Sequence, residues 1–166
     1  HNHVQLLKPI NDLKASLKLA KEYKVFGTKM RSVIIGANET GIKDIVDQQF
    51  DVASEILSYG LIPIIEPEVA ITIPDKKEAE DLLYENLRSR LDRIGSNKKV
   101  ILKLSLPDRD NLYEPLTKHP NILRIVALSG GFKKNEAVAK LTRNTKIIAS
   151  FSRALAEGLK RNDPKE

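Results

Sequence analysis

Three features of this sequence predict an α/β fold built on a parallel sheet. Short β-branched runs alternate with longer stretches, the longer stretches carry apolar residues at helical spacing, and glycines stand where two of them stop. Strands that alternate with helices make βαβ units, whose strands pair in parallel. With 166 residues, the chain has the length of one domain, taken as 1–166.

The elements follow in order. Residues 10–23 place Ile10, Leu13, Leu17 and Ala20 on one helical face. Residues 25–35 form the first strand, ending in Val33, Ile34 and Ile35. Residues 39–59 resume the helical period through Ile42, Ile45, Val46, Phe50, Ala53, Ile56 and Leu57, and Gly60 stops it. Residues 61–66 are the second strand. Pro63 makes it the weakest by local rules, because proline has no N–H to give to a ladder. A helix over 76–94, closed by Gly95, precedes a short strand at 100–104. Residues 108–119 read as a looser helical link, 122–128 as the fourth strand and 135–141 as a helix. A last strand at 146–150 and a terminal helix at 153–159 complete the pattern.

Composition removes several classes of function. Hydrophobic residues make up 41% and charged residues 30%, ordinary values for a chain that buries a core. There is no Cys, which excludes disulfide scaffolds, Cys-ligated metals and thiol nucleophiles. The three histidines, His1, His3 and His119, give little from which to build a metal site. No apolar run approaches the roughly 18 residues that span a bilayer, so a cytoplasmic protein without a membrane partner is expected. The net charge of +6 comes with 5% aromatics, no Trp and scattered Lys and Arg, which speaks against nucleic acid as a partner. The pairs Lys76-Lys77, Lys98-Lys99 and Lys133-Lys134 read as solvated helix faces and loops. A small anionic ligand held by a few placed cations stays open.

The informative residues are polar ones inside the strands. Strands buried on both faces read as near-continuous apolar runs. Here, with side chains alternating faces, Lys29 and Arg31 share one face of the first strand. Glu66 and Glu68 share a face with Ile62 and Ile64, and Lys103 shares one with Ile101 and Ser105. Ser129 falls in step with Leu123, Ile125 and Ala127. Most of these groups stand toward carboxyl ends of strands, where parallel α/β folds carry their chemistry. Lys103, in Val-Ile-Leu-Lys-Leu-Ser-Leu, is the most conspicuous. A lysine there either snorkels to water or serves chemistry. Its combination with a second strand lysine and two carboxylates favours chemistry.

Each residue type fits one mechanism. An unprotonated lysine amine attacks a carbonyl to give a Schiff base, and burial with neighbouring cations such as Lys29 and Arg31 favours the neutral amine. Glu66 and Glu68, on one face with Pro67 stiffening the link, suit proton transfer and orientation of the amine. Ser129-Gly130-Gly131, between a strand and a helix, reads as a turn or as a phosphate cradle. Ser152 and Arg153, at the next strand end, favour the cradle.

Five segments then resemble class I fructose-bisphosphate aldolase in its bacterial branch. They are Phe26-Gly27-Thr28-Lys29-Met30-Arg31, Gly60-Leu61-Ile62-Pro63-Ile64-Ile65-Glu66-Pro67-Glu68, Val100-Ile101-Leu102-Lys103, Val126-Ala127-Leu128-Ser129-Gly130-Gly131 and Ala149-Ser150-Phe151-Ser152-Arg153-Ala154-Leu155. They occur in the family's order over residues 4–159. The resemblance implies a (β/α)₈ barrel that cleaves fructose 1,6-bisphosphate to dihydroxyacetone phosphate and glyceraldehyde 3-phosphate in glycolysis and gluconeogenesis, with no metal or other cofactor. It implies Lys103 as the Schiff-base lysine, Lys29 as a second active-site lysine, Glu66 as the main acid/base and Glu68 as the carboxylate pairing with the lysines. Arg31 corresponds to a cation near the distal phosphate, and Ser129, Gly130, Gly131, Ser152 and Arg153 to the proximal phosphate site.

Two departures shape the expectation. Some members carry Tyr-Gly before the final Arg, where this chain has Phe151-Ser152. The family's first-strand Asp and third-strand Lys fall upstream of His1, so the matched strands are the fourth to eighth, about five-eighths of a barrel. A carboxyl-terminal part of the barrel, with little cleavage activity alone, is therefore expected. Another Schiff-base lyase on the same barrel and a basic binding module are the alternatives, and association into a homo-oligomer stays open.

Overall fold

The computed structural model describes residues 2–152 and 156. The sheet has six strands in sequence order: β1 (Val4–Gln5), β2 (Gly27–Ile34), β3 (Ile62–Val69), β4 (Val100–Ser105), β5 (Ile122–Leu128) and β6 (Ile148–Ala149). Strands β2 to β6 pair in parallel, as the alternation predicts, while β1 lies antiparallel along the end of β2. The helices are α1 (Leu13–Glu22), α2 (Glu39–Ser58), α3 (Lys76–Leu91) and α4 (Lys134–Thr142).

Three details differ from the sequence reading, and a fourth element lies outside the described residues. The two-residue β1 is too short to leave a periodic signal. The link over 108–119 forms only a 3-10 helix at Glu114–Lys118, with Pro115 near its start. The last strand shrinks to two residues, because Lys146 at its expected start takes a left-handed φ of 62°. The terminal helix expected over 153–159, and with it Arg153, lies outside the described residues except for Ala156, whose N–H donates to the Ser152 carbonyl at 3.1 Å.

One face of the sheet is apolar and covered. Met30, Ile34, Ile65, Val69, Leu102, Leu104, Ile125 and Ala127 are all buried, as are Ile42, Ile45, Val46, Phe50, Ala53 and Ile56 of α2 and Ala79, Leu83, Leu87 and Leu91 of α3. Helix α2 starts where the Asn38 side chain accepts from the Gly41 N–H at 2.8 Å. It stops at Gly60, whose φ of +76° closes a Schellman turn, with Gly60 N–H donating to Leu57 and Leu61 N–H to Ile56. Gly27 is required for space instead of conformation. A Cβ there would stand 2.1 Å from the Ile62 carbonyl oxygen, so only glycine lets β2 start this close to β3.

Pro63 and Pro67 are tolerated in a central strand for a geometric reason. Ile62 N–H donates to Phe26 and Ala70 N–H to Ile34, so even-numbered residues of β3 turn their N–H toward β2 and odd-numbered ones toward β4. Both prolines are odd. The β3–β4 pairing is correspondingly short, Ile64 with Ile101 and Ile65 with Leu102.

Lys76 corrects the reading of the basic pairs as solvated. It is only 4% exposed. Its ammonium pairs with the buried Glu80 and donates to the Leu106 carbonyl at 3.0 Å and to Asp108 Oδ1 at 3.1 Å. Asp108 N–H donates to Glu80 at 2.9 Å, so the network ties the start of α3 to the chain leaving β4. Nearby, Tyr113 is fully buried and its hydroxyl has no hydrogen-bond partner. Burial holds that phenol well above its ordinary range. Tyr113→Phe is therefore expected to stabilise the protein by about 1 kcal/mol, because it removes an unpaired polar atom from the core. Urea unfolding checks this: the midpoint rises and the m-value stays constant.

Candidate active site

The second face of the sheet carries the polar side chains. In the β2–β3 register, Lys29 lies opposite Ile64, Arg31 opposite Glu66 and Val33 opposite Glu68. Ile64 lies opposite Ile101, which brings Glu66 and Lys103 to one level two residues later. The faces inferred from period-two alternation for Lys29, Arg31, Glu66, Glu68 and Lys103 thus merge into one.

Glu66 is the centre of this face. Its side chain is 4% exposed and stands between two ammonium groups. Lys29 Nζ lies 3.0 Å from Oε2 and Lys103 Nζ 3.4 Å from Oε1. The Lys29 contact is an ion pair without hydrogen-bond alignment, and Oε2 has no other hydrogen-bond partner. Glu68, which the resemblance implies as the partner of the lysines, pairs instead with Arg31, accepting from its Nε at 2.6 Å, because both lysines meet Glu66. That hydrogen bond, more than its charge, raises Arg31 above its ordinary value and keeps it a cation. Each β2 cation reaches the carboxylate two residues beyond its register partner, so the pairs run diagonally across the strands.

These groups border a cavity of about 340 Å³ lined by Arg31, Glu66, Glu68, Lys103, Leu128, Ser129, Gly130, Ser150 and Ser152. A larger open cleft of about 530 Å³ lies along α3, where Asp75, Glu78, Asp81 and Glu85 surround a solvent-exposed Lys77. The smaller cavity is the better candidate, because it joins a partly buried amine, two buried carboxylates, a guanidinium and several hydroxyls.

The serine–glycine segment is both a turn and part of the cavity wall. Gly130 and Gly131 take φ of +60° and +110°, and Phe132 N–H donates to the Ser129 carbonyl at 2.9 Å. Closing the turn thus uses the Phe132 N–H and not those of the glycines. Ser129 reaches the cavity by a route that alternation does not give. Lys103 lies opposite Val126, so Ile125 and Ala127 face the helices, and a Ser129 in step with them would too. The strand ends at Leu128, and the turn brings Ser129 round to the cavity.

Of the ten site residues expected from the sequence, seven line the cavity. Lys29 joins the group through Glu66, Gly131 completes the turn without lining the cavity, and Arg153 lies outside the described residues. Ser150 and Leu128 line the wall as well. Ser150 follows β6 and its N–H donates to Ala127 at 2.8 Å, so its place at a strand's carboxyl end was the signal for it. Gln49 and Ser32 support the cluster from the helix-covered face and gave no motif-level signal, whereas Ser105 shares the face of Lys103, as the alternation predicts. Among the described residues no group of three His, Cys, Asp or Glu is placed to hold a metal ion, and no helix is long and apolar enough to cross a membrane.

No family model matches the chain. Among solved structures it is similar to fructose-bisphosphate aldolase from Plasmodium falciparum, with a TM-score of 0.63 and 18% sequence identity. The similarity covers 92% of this chain and 56% of that aldolase, so the chain spans little more than half the length of the protein it matches. At this identity the likeness is one of fold: the chain has an aldolase-like α/β fold on a mostly parallel sheet.

Proposed function

We propose that this chain is part of a class I, metal-independent fructose-bisphosphate aldolase of the bacterial branch, corresponding to the fourth to eighth strands of a (β/α)₈ barrel. The observation that carries this reading is Glu66, buried between the ammonium groups of Lys29 and Lys103 on one sheet face, beside a cavity with a guanidinium and hydroxyls. A lone structural ion pair needs one cation. Two lysines sharing one carboxylate beside a cavity fit a reaction in which one amine is consumed and a proton is handed on.

In the proposed reaction the Lys103 ammonium passes a proton to the Glu66 carboxylate beside it, and the resulting neutral amine adds to the substrate ketone. The C–N bond forms as the carbonyl electron pair goes to oxygen, which takes the proton that the nitrogen sheds and gives a neutral carbinolamine. Glu66, as its carboxylic acid, protonates that hydroxyl, which leaves as water, and the nitrogen lone pair forms the protonated imine. Lys29 balances charge on Glu66 and the departing oxygen. Glu68 orients Arg31 toward the phosphate remote from the imine, while Ser129, Gly130, Ser150 and Ser152 hold the near one. Glu66 and Glu68 are the only carboxylates lining the cavity among the described residues, and each faces a cation. Imine formation is therefore expected of this chain, with little carbon–carbon cleavage.

Borohydride reduction in the presence of dihydroxyacetone phosphate tests the proposal. A stable adduct is expected on Lys103, located by peptide mass mapping, and its absence would sink the assignment. Arg31→Ala is expected to raise the half-saturating concentration of fructose 1,6-bisphosphate in this assay by roughly tenfold or more, the effect of losing one charge-assisted contact. Dihydroxyacetone phosphate lacks the distal phosphate, so its half-saturating concentration is expected to stay within about twofold, the range left to indirect effects.

A further inference from the structure

We infer that Gln49 and Ser105 are positioning residues that hold the Glu66-Pro67-Glu68 segment level with Lys103 through its backbone. The inference rests on the Schiff-base reading of the cavity and adds two residues to it. By parity, the Glu66 N–H turns toward β2. It donates to Oε1 of Gln49, on α2, at 2.9 Å. The Gln49 amide nitrogen in turn donates to Ser32 Oγ of β2 at 3.0 Å. Gln49 thus bridges β2 and β3 from the helix-covered face at the residue whose carboxylate leaves from the other face. On the β4 side the ladder ends at Ile65–Leu102, and Pro67 has no donor to extend it. There Ser105 Oγ accepts from the Val69 N–H at 3.0 Å and donates to the Val69 carbonyl at 2.8 Å.

The segment carrying both carboxylates is therefore held on either side by a side chain, by Gln49 beside the continuous β2 ladder and by Ser105 where the β4 ladder has ended. Gln49, Ser32 and Ser105 are all at most 1% exposed. A buried amide is costly unless bonded, and an apolar residue would suit the otherwise apolar face of α2. Gln49 makes its contacts with Ser32 and the Glu66 backbone. Ser105 shares the inward parity of Lys103, two residues away, so a shift of Val69 against Ser105 moves the carboxylates relative to the amine.

The test uses the full chain, with dihydroxyacetone phosphate as probe and borohydride trapping at Lys103 as readout. At saturating probe, Gln49→Met and Ser105→Ala are each expected to slow trapping about tenfold while the half-saturating concentration stays within about twofold, as for misplaced but intact reacting groups. Amide hydrogen exchange is expected to quicken about tenfold at Glu66 in Gln49→Met and at Val69 in Ser105→Ala, as each N–H loses its side-chain acceptor. Ile56→Val, a core change on α2 two helical turns from Gln49, serves as the stability control and is expected to leave both readouts unchanged. Trapping by Gln49→Met that matches the control, or unaltered exchange at Glu66, overturns the inference. If the unaltered chain forms no adduct at Lys103, the Schiff-base reading fails separately. Exchange at Glu66 and Val69 then decides the clamp: faster exchange upholds it and unchanged exchange removes it.

Discussion

Lys103→Met is expected to abolish the borohydride-trapped adduct, a loss of at least about a thousandfold in trapping rate, whereas Lys29→Met is expected to keep the adduct on Lys103. Distance alone does not separate the two lysines, since their ammonium groups stand 3.4 Å and 3.0 Å from the two oxygens of Glu66. Position does. The Lys103 side chain is 21% exposed and lines the cavity, whereas that of Lys29 is 44% exposed and does not. In the proposed reaction the nucleophile has to reach a carbonyl inside the cavity while shielded from bulk water, and the position of Lys103 suits both requirements. Lys29→Met removes one cation beside the departing oxygen, and a loss of about tenfold to a hundredfold is expected, smaller than or comparable to losing one oxyanion donor. Intact mass and peptide mapping of both variants settle the assignment. An adduct that persists in Lys103→Met and maps to Lys29 would exchange their roles.

The largest effect on stability is expected from Lys76→Met, about 3–5 kcal/mol, the cost of stripping a buried charge of its partner. Glu80 is the group left behind, buried beneath the chain that leaves β4. Burial raises its carboxyl above the ordinary 4.5, and the Asp108 N–H and the Lys76 ammonium partly offset the rise. Without Lys76 the offset shrinks and the rise grows. A carboxyl raised in the folded state favours folding below its unfolded value, and that contribution disappears as pH climbs through the folded value. Asp108 has the opposite sign. Burial acts to raise it, but Lys76 and then Lys140 outweigh burial and hold it below its ordinary value, so its contribution is present at neutral pH and lost in acid. Removing Lys76 weakens this second contribution and sharpens the first. The variant is therefore expected to lie nearest the unaltered protein at about pH 4.5 and to fall further behind toward about pH 7.5. Urea unfolding at both pH values measures the gap, and a gap that narrows with rising pH would contradict the account.

The two kinds of residue in these predictions differ in how far the sequence reveals them. Lys103 stands out because an ionisable side chain interrupts an apolar strand, and its face follows from counting in twos. Lys76 does not, because on a helix Lys-Lys followed by acidic residues looks like any solvated surface. Its burial depends on Leu106 and Asp108 returning over the start of α3 from about thirty residues away. Ser129 was readable as a candidate but not by the face assigned to it, since the alternation that serves inside a strand stops at Leu128 and the glycine turn takes over. Gln49 was invisible: a glutamine on a helix carries no sign that its amide will cross to Glu66 and Ser32.

By itself the sequence determined the order of strands and helices and the sharing of faces by Lys29 with Arg31, Glu66 with Glu68, and Lys103 with Ile101. These are local properties, set by the period of the backbone and by glycine and proline conformations, and the chain cannot alter them without changing its hydrogen-bonded geometry. Only the tertiary structure decided the register that places Glu66 between two lysines, the burial of Lys76, and the side-chain clamps on either side of β3. Those depend on contacts between distant segments, where close packing and the cost of burying an unpaired polar group select one arrangement among many that the local pattern allows.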